Sequence, residues 1–210
     1  MKKVGIIDYG QGNIYSLSKA LTAIKVNHII SNSKTELEHC THLILPGVGA
    51  FNKAVESLKK YDLMEYVKSS TKQIMGICLG AQLLYESSEE LGFHEGLGIL
   101  KGKVIQFNQS EVMKLMNVGW RPITSVKTSL KFSSDKRNSI PLINNKEFYF
   151  VHKYYIASEE ENAIHYNSMN GDFPFTAAVE TSQILACQFH PEKSGRDGLE
   201  LLQYFINKTN

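Results

Sequence analysis

The chain has 210 residues, 42% of them hydrophobic and 21% charged, with a formal net charge of +2. That apolar content supports a sizeable core, and charges interspersed without a long basic block give nucleic-acid binding no electrostatic support. Three cysteines at irregular spacing argue against a disulfide framework and for a reducing compartment, the cytoplasm by default, and no window approaches the roughly eighteen apolar residues of a membrane span.

Taken in chain order, the first half alternates. A strand over Val4–Asp8 runs into the turn Gly10-Gln11-Gly12-Asn13. That turn lacks the Lys-Ser or Lys-Thr of a phosphate loop and the third glycine of a dinucleotide fingerprint, so it reads as a tight strand-to-helix connection with Asn13 capping a helix over Ile14–Ile24. A strand over His28–Ser31 follows, then one over Leu43–Leu45 with the glycine-flanked loop Pro46-Gly47-Val48-Gly49-Ala50 behind it. His28, His39, Cys40 and His42 match no zinc spacing, and no metal is called for. A helix over Phe51–Lys60 and a shorter one over Leu63–Ser69 precede Gln73–Leu84, which reads as a buried strand turning sharply into a helix.

From about Gly96 to Gln188 the pattern changes to short strands and turns, with an antiparallel addition expected between Leu97–Leu100 and Val104–Ile105. Ile184–Phe189 reads as a strand, and a helix over Asp197–Asn207 closes the chain with Leu199, Leu202 and Ile206 on one stripe. Strands alternating with helices imply α/β architecture: a mostly parallel twisted sheet with helices on both faces plus antiparallel additions. No linker or composition shift divides residues 1–210, which read as one domain.

Cys78 sits at the bend of the strand-to-helix turn, with Gly76 and Gly80 two places to either side, the logic of a nucleophile elbow written with cysteine. The unpaired amides of a helix N-terminus favour the thiolate. The base is expected in Gln188-Phe189-His190-Pro191-Glu192-Lys193: in extended backbone, residues two apart project to one side, so Glu192 can hold the far ring nitrogen of His190 while His190 takes the thiol proton. Acyl transfer passes through an oxyanion. The loop carrying Val48 and Gly49 can turn an amide toward it, and the Leu79 amide is the natural second donor. Cys40 and Cys187 read as small buried hydrophobes, and His152 as a structural hydrogen-bonder.

Together these segments resemble the class I (triad) glutamine amidotransferases and, within them, the glutaminase subunits of imidazole glycerol phosphate synthase. The likeness runs nearly end to end, through Ile6–Asn13, Leu45–Gly49, Gly76–Leu84, Gly119-Trp120, Tyr149–Tyr155 and Phe189–Ser194. It implies hydrolysis of L-glutamine to glutamate and ammonia through a glutamyl thioester on Cys78, without a cofactor. It further implies that Gly47, Gly49, Gln82 and the backbone around Lys153 and Tyr154 hold glutamine, with the Gly10–Asn13 turn lining the site. Trp120, Tyr149 and Lys193 would face a (β/α)8 synthase or cyclase subunit in a heterodimer. Such a partner has a physical reason: ammonia released to water would mostly take up a proton and cease to be a nucleophile. The chain itself is too short for a barrel of about 250 residues.

Three features depart from the family pattern. Ala81 stands where methionine is usual, Arg121 where asparagine follows Gly-Trp, and Thr124–Lys146 is longer and more polar. Histidine biosynthesis is therefore weighed against a paralogue that supplies ammonia for amidination of a bacterial surface sugar. A catalytically silent regulatory or binding module and a thiol peptidase on the same scaffold are further alternatives; the intact Cys78, His190 and Glu192 argue against the first, and the Tyr149–Tyr155 segment against the second.

Overall fold

The computed structural model describes residues 2–112, 114–126 and 143–208. Most of the unusual Thr124–Lys146 segment therefore lies outside the described residues. The elements in order are β1 (Val4–Ile7), α1 (Ile14–Ala23), β2 (His28–Ser31), α2 (Lys34–Glu38), β3 (His42–Leu45), α3 (Phe51–Lys60), α4 (Met64–Lys68), β4 (Gln73–Ile77), α5 (Leu79–Gln82) and β5 (Tyr85–Ser88). There follow β6 (His94–Glu95), β7 (Leu100–Gln106), β8 (Asn117–Pro122), β9 (Thr124–Val126), β10 (Glu147–His152), β11 (Tyr154–Ser158), β12 (Ile164–Asn170), β13 (Phe173–Glu180), β14 (Ile184–Cys187) and α6 (Gly195–Asn207), the last preceded by a 3-10 turn at Pro191–Lys193.

The large sheet runs β2-β1-β3-β4-β14-β13-β11-β7-β5-β6. Its first five strands are parallel, and β13 turns the sheet antiparallel. β1, β3, β4 and β14 are buried at every position, as strands covered on both faces must be. The covers follow from helical periodicity. Phe51, Ala54, Val55 and Leu58 form the buried stripe of α3, and Leu201, Leu202, Phe205 and Ile206 that of α6. One core cluster gathers α1 and α6 with Ile44, Met75 and Leu185; the other gathers α3 and Val67 of α4 with Leu43, Leu45 and Ile74. β8 and β10 stand apart as a two-stranded antiparallel ribbon.

Three expectations need correction. The pairing of Leu97–Leu100 with Val104–Ile105 does not form. Leu100–Gln106 is instead one strand between β5 and β11, and Leu97 is tied to Leu83 through a backbone bond of 2.8 Å. The helix after the elbow is a single turn, and Leu83-Leu84-Tyr85, apolar enough to extend a helix, leads buried into β5. Lys34–Glu38 is helical although no periodicity announces it; with only Leu37 buried, its five residues are too short for an apolar stripe.

Candidate active site

β4 delivers Cys78 to the bend with φ 51° and ψ −108°, a conformation that costs a residue with a β-carbon about 1–3 kcal/mol. The surroundings impose it. The Cys78 N–H donates to Cys187 O at 2.7 Å, and its carbonyl accepts from the Gln82 N–H at 3.0 Å. The strained residue is thus Cys78 itself, and the flanking glycines provide room rather than rotational freedom. A β-carbon on Gly80 would lie 1.8 Å from Leu45 O, and one on Gly76 2.6 Å from the Ala81 Cα. Because α5 is one turn long, Cys78 does not stand at the end of a long helix dipole.

His190 lies just beyond β14, its N–H bonded to Tyr149 O at 2.9 Å and its carbonyl to Ser194 Oγ at 2.6 Å. Pro191–Lys193 coils into the 3-10 turn instead of continuing extended, and that turn brings the carboxylate round: Nδ1–H of His190 donates to Glu192 Oε1 at 2.8 Å. The two side chains are 1% and 3% exposed. Burial opposes charge on the imidazole, but its interactions with Cys78 and Glu192 prevail and push the His190 pKa up to about 10. Nε2 is buried without a hydrogen bond of ordinary geometry, a looseness common in catalytic pairs before substrate binds. His190 therefore holds its proton at neutral pH.

Glu192→Gln should lower glutamine turnover on the order of a hundredfold while leaving the fold intact, since the carboxylate acts by orienting and charging His190. Removing a group that raises the His190 pKa lowers it, so the alkaline limb of the rate profile should move to lower pH. An unchanged profile would remove Glu192 from the relay.

The loop after β3 closes the third side. Gly49 has φ 110°, a conformation favouring glycine, and the Gln11 Oε1 atom lies 2.7 Å from where a β-carbon would be. The turn after β1 thus packs on this loop, and the Asn13 side chain accepts from Ser16 N at 3.4 Å to cap α1 as expected. Tyr9 OH donates to Pro46 O, and Glu90 Oε2 accepts the Phe51 N–H at 2.8 Å, which fixes the loop at both ends. Val48 is 38% exposed, whereas Leu79 is buried at the start of α5, where backbone N–H groups have no intrahelical partner.

Residues 5–208 match the family model for glutamine amidotransferase class-I. The chain belongs to this family. It is 39% identical over 209 residues to the imidazole glycerol phosphate synthase subunit HisH of Prochlorococcus marinus subsp. pastoris, covering 98% of each chain. It is also 39% identical over 216 residues to the protein of the same name from Geobacillus thermodenitrificans, covering 98% of this chain and 96% of that one. Among solved structures, a glutamine amidotransferase superposes with a TM-score of 0.70 at 20% identity, covering 97% of this chain and 96% of that one. PurLQS from Thermotoga maritima gives a TM-score of 0.67 at 19% identity, covering 98% of each chain. These two establish likeness of fold.

In this class I amidotransferase the remaining candidates fall into two groups. Gln82 is buried on α5, and its Nε2 donates to Tyr154 O and to Gln188 Oε1, both at 3.1 Å. Tyr154 O also accepts from His152 Nδ1 at 2.8 Å, so that carbonyl is committed within the protein; Lys153 is exposed beside it. His152 is the expected hydrogen-bonder: burial holds its pKa down to about 4, and its Nε2 accepts from Asn117 Nδ2 at 2.9 Å. The second group lies on the β8–β10 ribbon. Trp120 is 47% exposed and meets half-buried Tyr149 edge-on across the strands, with Met116 and Val118 exposed on the same side of β8 and Lys193 exposed on the 3-10 turn.

Sequence reasoning missed Gln188, Ser194 and Glu90. Gln188 precedes His190 by two residues, the same signal that pointed from His190 to Glu192, and could have been read from it. Glu90 carries no such signal, because its partner Phe51 is distant in sequence. Cys40 and Cys187 are buried, and burial pushes the Cys187 thiol well up. His28 bonds to Ser18 and Val26, and His42 to Thr41 and Lys208.

Proposed function

We propose that the whole chain works as one glutaminase domain, the ammonia-producing half of an imidazole glycerol phosphate synthase in histidine biosynthesis, and that Cys78, His190 and Glu192 are its catalytic residues. The observation that carries the reading is the buried His190–Glu192 pair coupled to a cysteine held at positive φ. Cys78 Sγ attacks the side-chain amide carbon of L-glutamine, and the oxygen takes up negative charge facing the amides of Leu79 and the Val48–Gly49 loop. His190 delivers its proton to the departing nitrogen, ammonia leaves, and a glutamyl thioester remains. Water, deprotonated by His190, then hydrolyses the thioester to glutamate and returns the thiol. Gly47, Gly49 and Gln82 frame glutamine with the Lys153 backbone, while the share of Tyr154 is to aim Gln82.

The partner reading rests on the ribbon. Its exposed apolar side includes Trp120, an aromatic anchor of the kind found at interface centres, and Tyr149 is bonded through its own carbonyl to the backbone of His190. A (β/α)8 synthase subunit docked on Trp120, Tyr149 and Lys193 would touch the strand that holds the base and receive ammonia before water protonates it. A cytoplasmic heterodimer follows from that reading. Among the described residues no helix is long and apolar enough to cross a membrane. A paralogue feeding a sugar-amidating synthase draws support from Arg121, whose guanidinium folds back onto Trp120 O at 3.1 Å on the docking ribbon. Ala81 speaks less to the acceptor, because it is fully buried in the core. A diazo-ketone analogue of glutamine, added with the co-purifying partner present, should modify Cys78 alone among the three cysteines. Absence of that adduct would sink the glutaminase reading.

A further inference from the structure

We propose that Gln188 is a catalytic residue whose side-chain amide donates a hydrogen bond to Cys78 Sγ and holds the sulfur in its negatively charged form. The inference rests on Cys78 being the nucleophile and adds a group that the Cys-His-Glu arrangement does not include. Gln188 is fully buried, with Nε2 3.8 Å from Cys78 Sγ and Oε1 3.1 Å from Gln82 Nε2.

The direction of these bonds is dictated by the backbone. A side-chain amide can be turned end for end, and only its partners decide which end is nitrogen. Tyr154 O is a carbonyl and can only accept, so the Gln82 atom 3.1 Å away must be Nε2. That nitrogen has a second hydrogen, directed at Gln188, so Gln188 must present Oε1 to Gln82 and Nε2–H to the sulfur. Reversing Gln188 would set two donors against each other in a buried site and turn an oxygen lone pair toward the thiolate. The Tyr154 carbonyl is itself steadied by His152, whose Nε2 accepts from Asn117, so the ordered chain runs from the first residue of β8 to the nucleophile.

The titratable groups around the thiol are His190 with Glu192 behind it, Tyr9 from the turn after β1 and His152 from β10. Tyr9 is kept neutral by burial and by Cys78, and His152 is neutral above about pH 4. The charged groups are thus the same in the wild type and in Gln188→Met, and a change in thiolate fraction between those two reports the amide.

The test is the pH dependence of Cys78 alkylation by iodoacetamide in the full chain, read from the mass of the Cys78 peptide. Gln188→Met keeps the shape and removes the donor; its midpoint should rise by about one pH unit, a tenfold loss of thiolate at a given pH below it. The kcat for glutamine should fall with KM little changed. Gln188→Glu, with a carboxylate facing the sulfur, should raise the midpoint further. If methionine is not tolerated in this buried position, Gln188→Leu removes the same donor with a different shape, and its midpoint should rise as well. A wild-type midpoint in a folded Gln188→Met or Gln188→Leu variant overturns the proposal while leaving Cys78 as nucleophile. Failure of the wild-type Cys78 to take the diazo-ketone glutamine analogue would overturn the nucleophile instead, so the two failures are separable.

Discussion

Cys78→Ala should abolish glutamine-dependent synthesis by the complex, by at least about a thousandfold, while ammonium salts at high pH still support the partner's reaction. The size follows from the chemistry: without a sulfur no thioester forms, and what remains is the modest help that the oxyanion donors give to water. Preservation of the fold follows from the geometry. Cys78 already holds its positive φ with a β-carbon, and its N–H and carbonyl are bonded to Cys187 and Gln82 through the backbone, so alanine keeps both bonds and adds no new strain. High pH matters because free ammonia, not ammonium, is the nucleophile that the partner consumes. Rates with glutamine and with ammonium chloride, measured on the same complex, decide the matter. Loss of both would mean that the change breaks the complex or unfolds the chain. Retention of both would remove Cys78 from the chemistry. The identity of the co-purifying partner also distinguishes a histidine-pathway acceptor from a sugar.

The parts of this site that residue chemistry specifies locally were legible before any coordinates. A cysteine between two glycines at the end of a buried apolar run announces the bend, and a histidine two residues before a glutamate announces their contact, through residue type and spacing. The cause of the elbow was not legible. Sequence suggests that glycine supplies the unusual backbone angle, whereas the angle belongs to Cys78 and the glycines clear space for Leu45 and Ala81, residues that only the folded strand-turn-helix brings this close. Likewise His190 and Glu192 meet as expected but through a 3-10 turn, because Pro191 fixes one dihedral angle and leaves the coil of the following residues open. The parallel half of the fold was readable from strands and helices of ordinary length. Leu97–Leu100 was not, because short apolar runs satisfy a hairpin and a buried loop equally well, and long-range backbone bonds to Leu83 and Leu84 choose the loop. The bonds that link Tyr154, Gln82 and Gln188 join positions far apart in sequence, and only the spacing of Gln188 from His190 hinted at one of them.

Gly80→Ala should be the most damaging single-methyl change near the site, and it tests the elbow from the side of space rather than chemistry. An added β-carbon would sit 1.8 Å from Leu45 O, 2.6 Å from Leu45 C and 3.0 Å from Pro46 O, all of them backbone. No side chain can swing aside, so either β3 or α5 must move. Overpacking of a core typically costs about 1–3 kcal/mol, and a clash with fixed backbone belongs at or above the top of that range. For a chain of this size each kcal/mol lowers Tm by about 2–4 °C, so a fall of roughly 10 °C is expected. Gly98→Ala is the matched comparison. It has φ 61° with nothing within 4 Å, so it should cost only the backbone strain of about 1 kcal/mol. The functional loss should exceed the loss of stability, because Leu45 and Pro46 lead into the Gly47–Gly49 loop while Gly80 lies two residues from Cys78. Pushing them apart widens the gap between Cys78 and the Gly47–Gly49 loop, and under the proposed mechanism such displacement is costly, since one misplaced oxyanion donor takes about a hundredfold to a thousandfold from the rate. Thermal melts and glutaminase assays of the two variants at a temperature where both are folded separate these effects. A Gly80→Ala variant that melts with the wild type and turns over glutamine at full rate would show that β3 and α5 do not approach this closely.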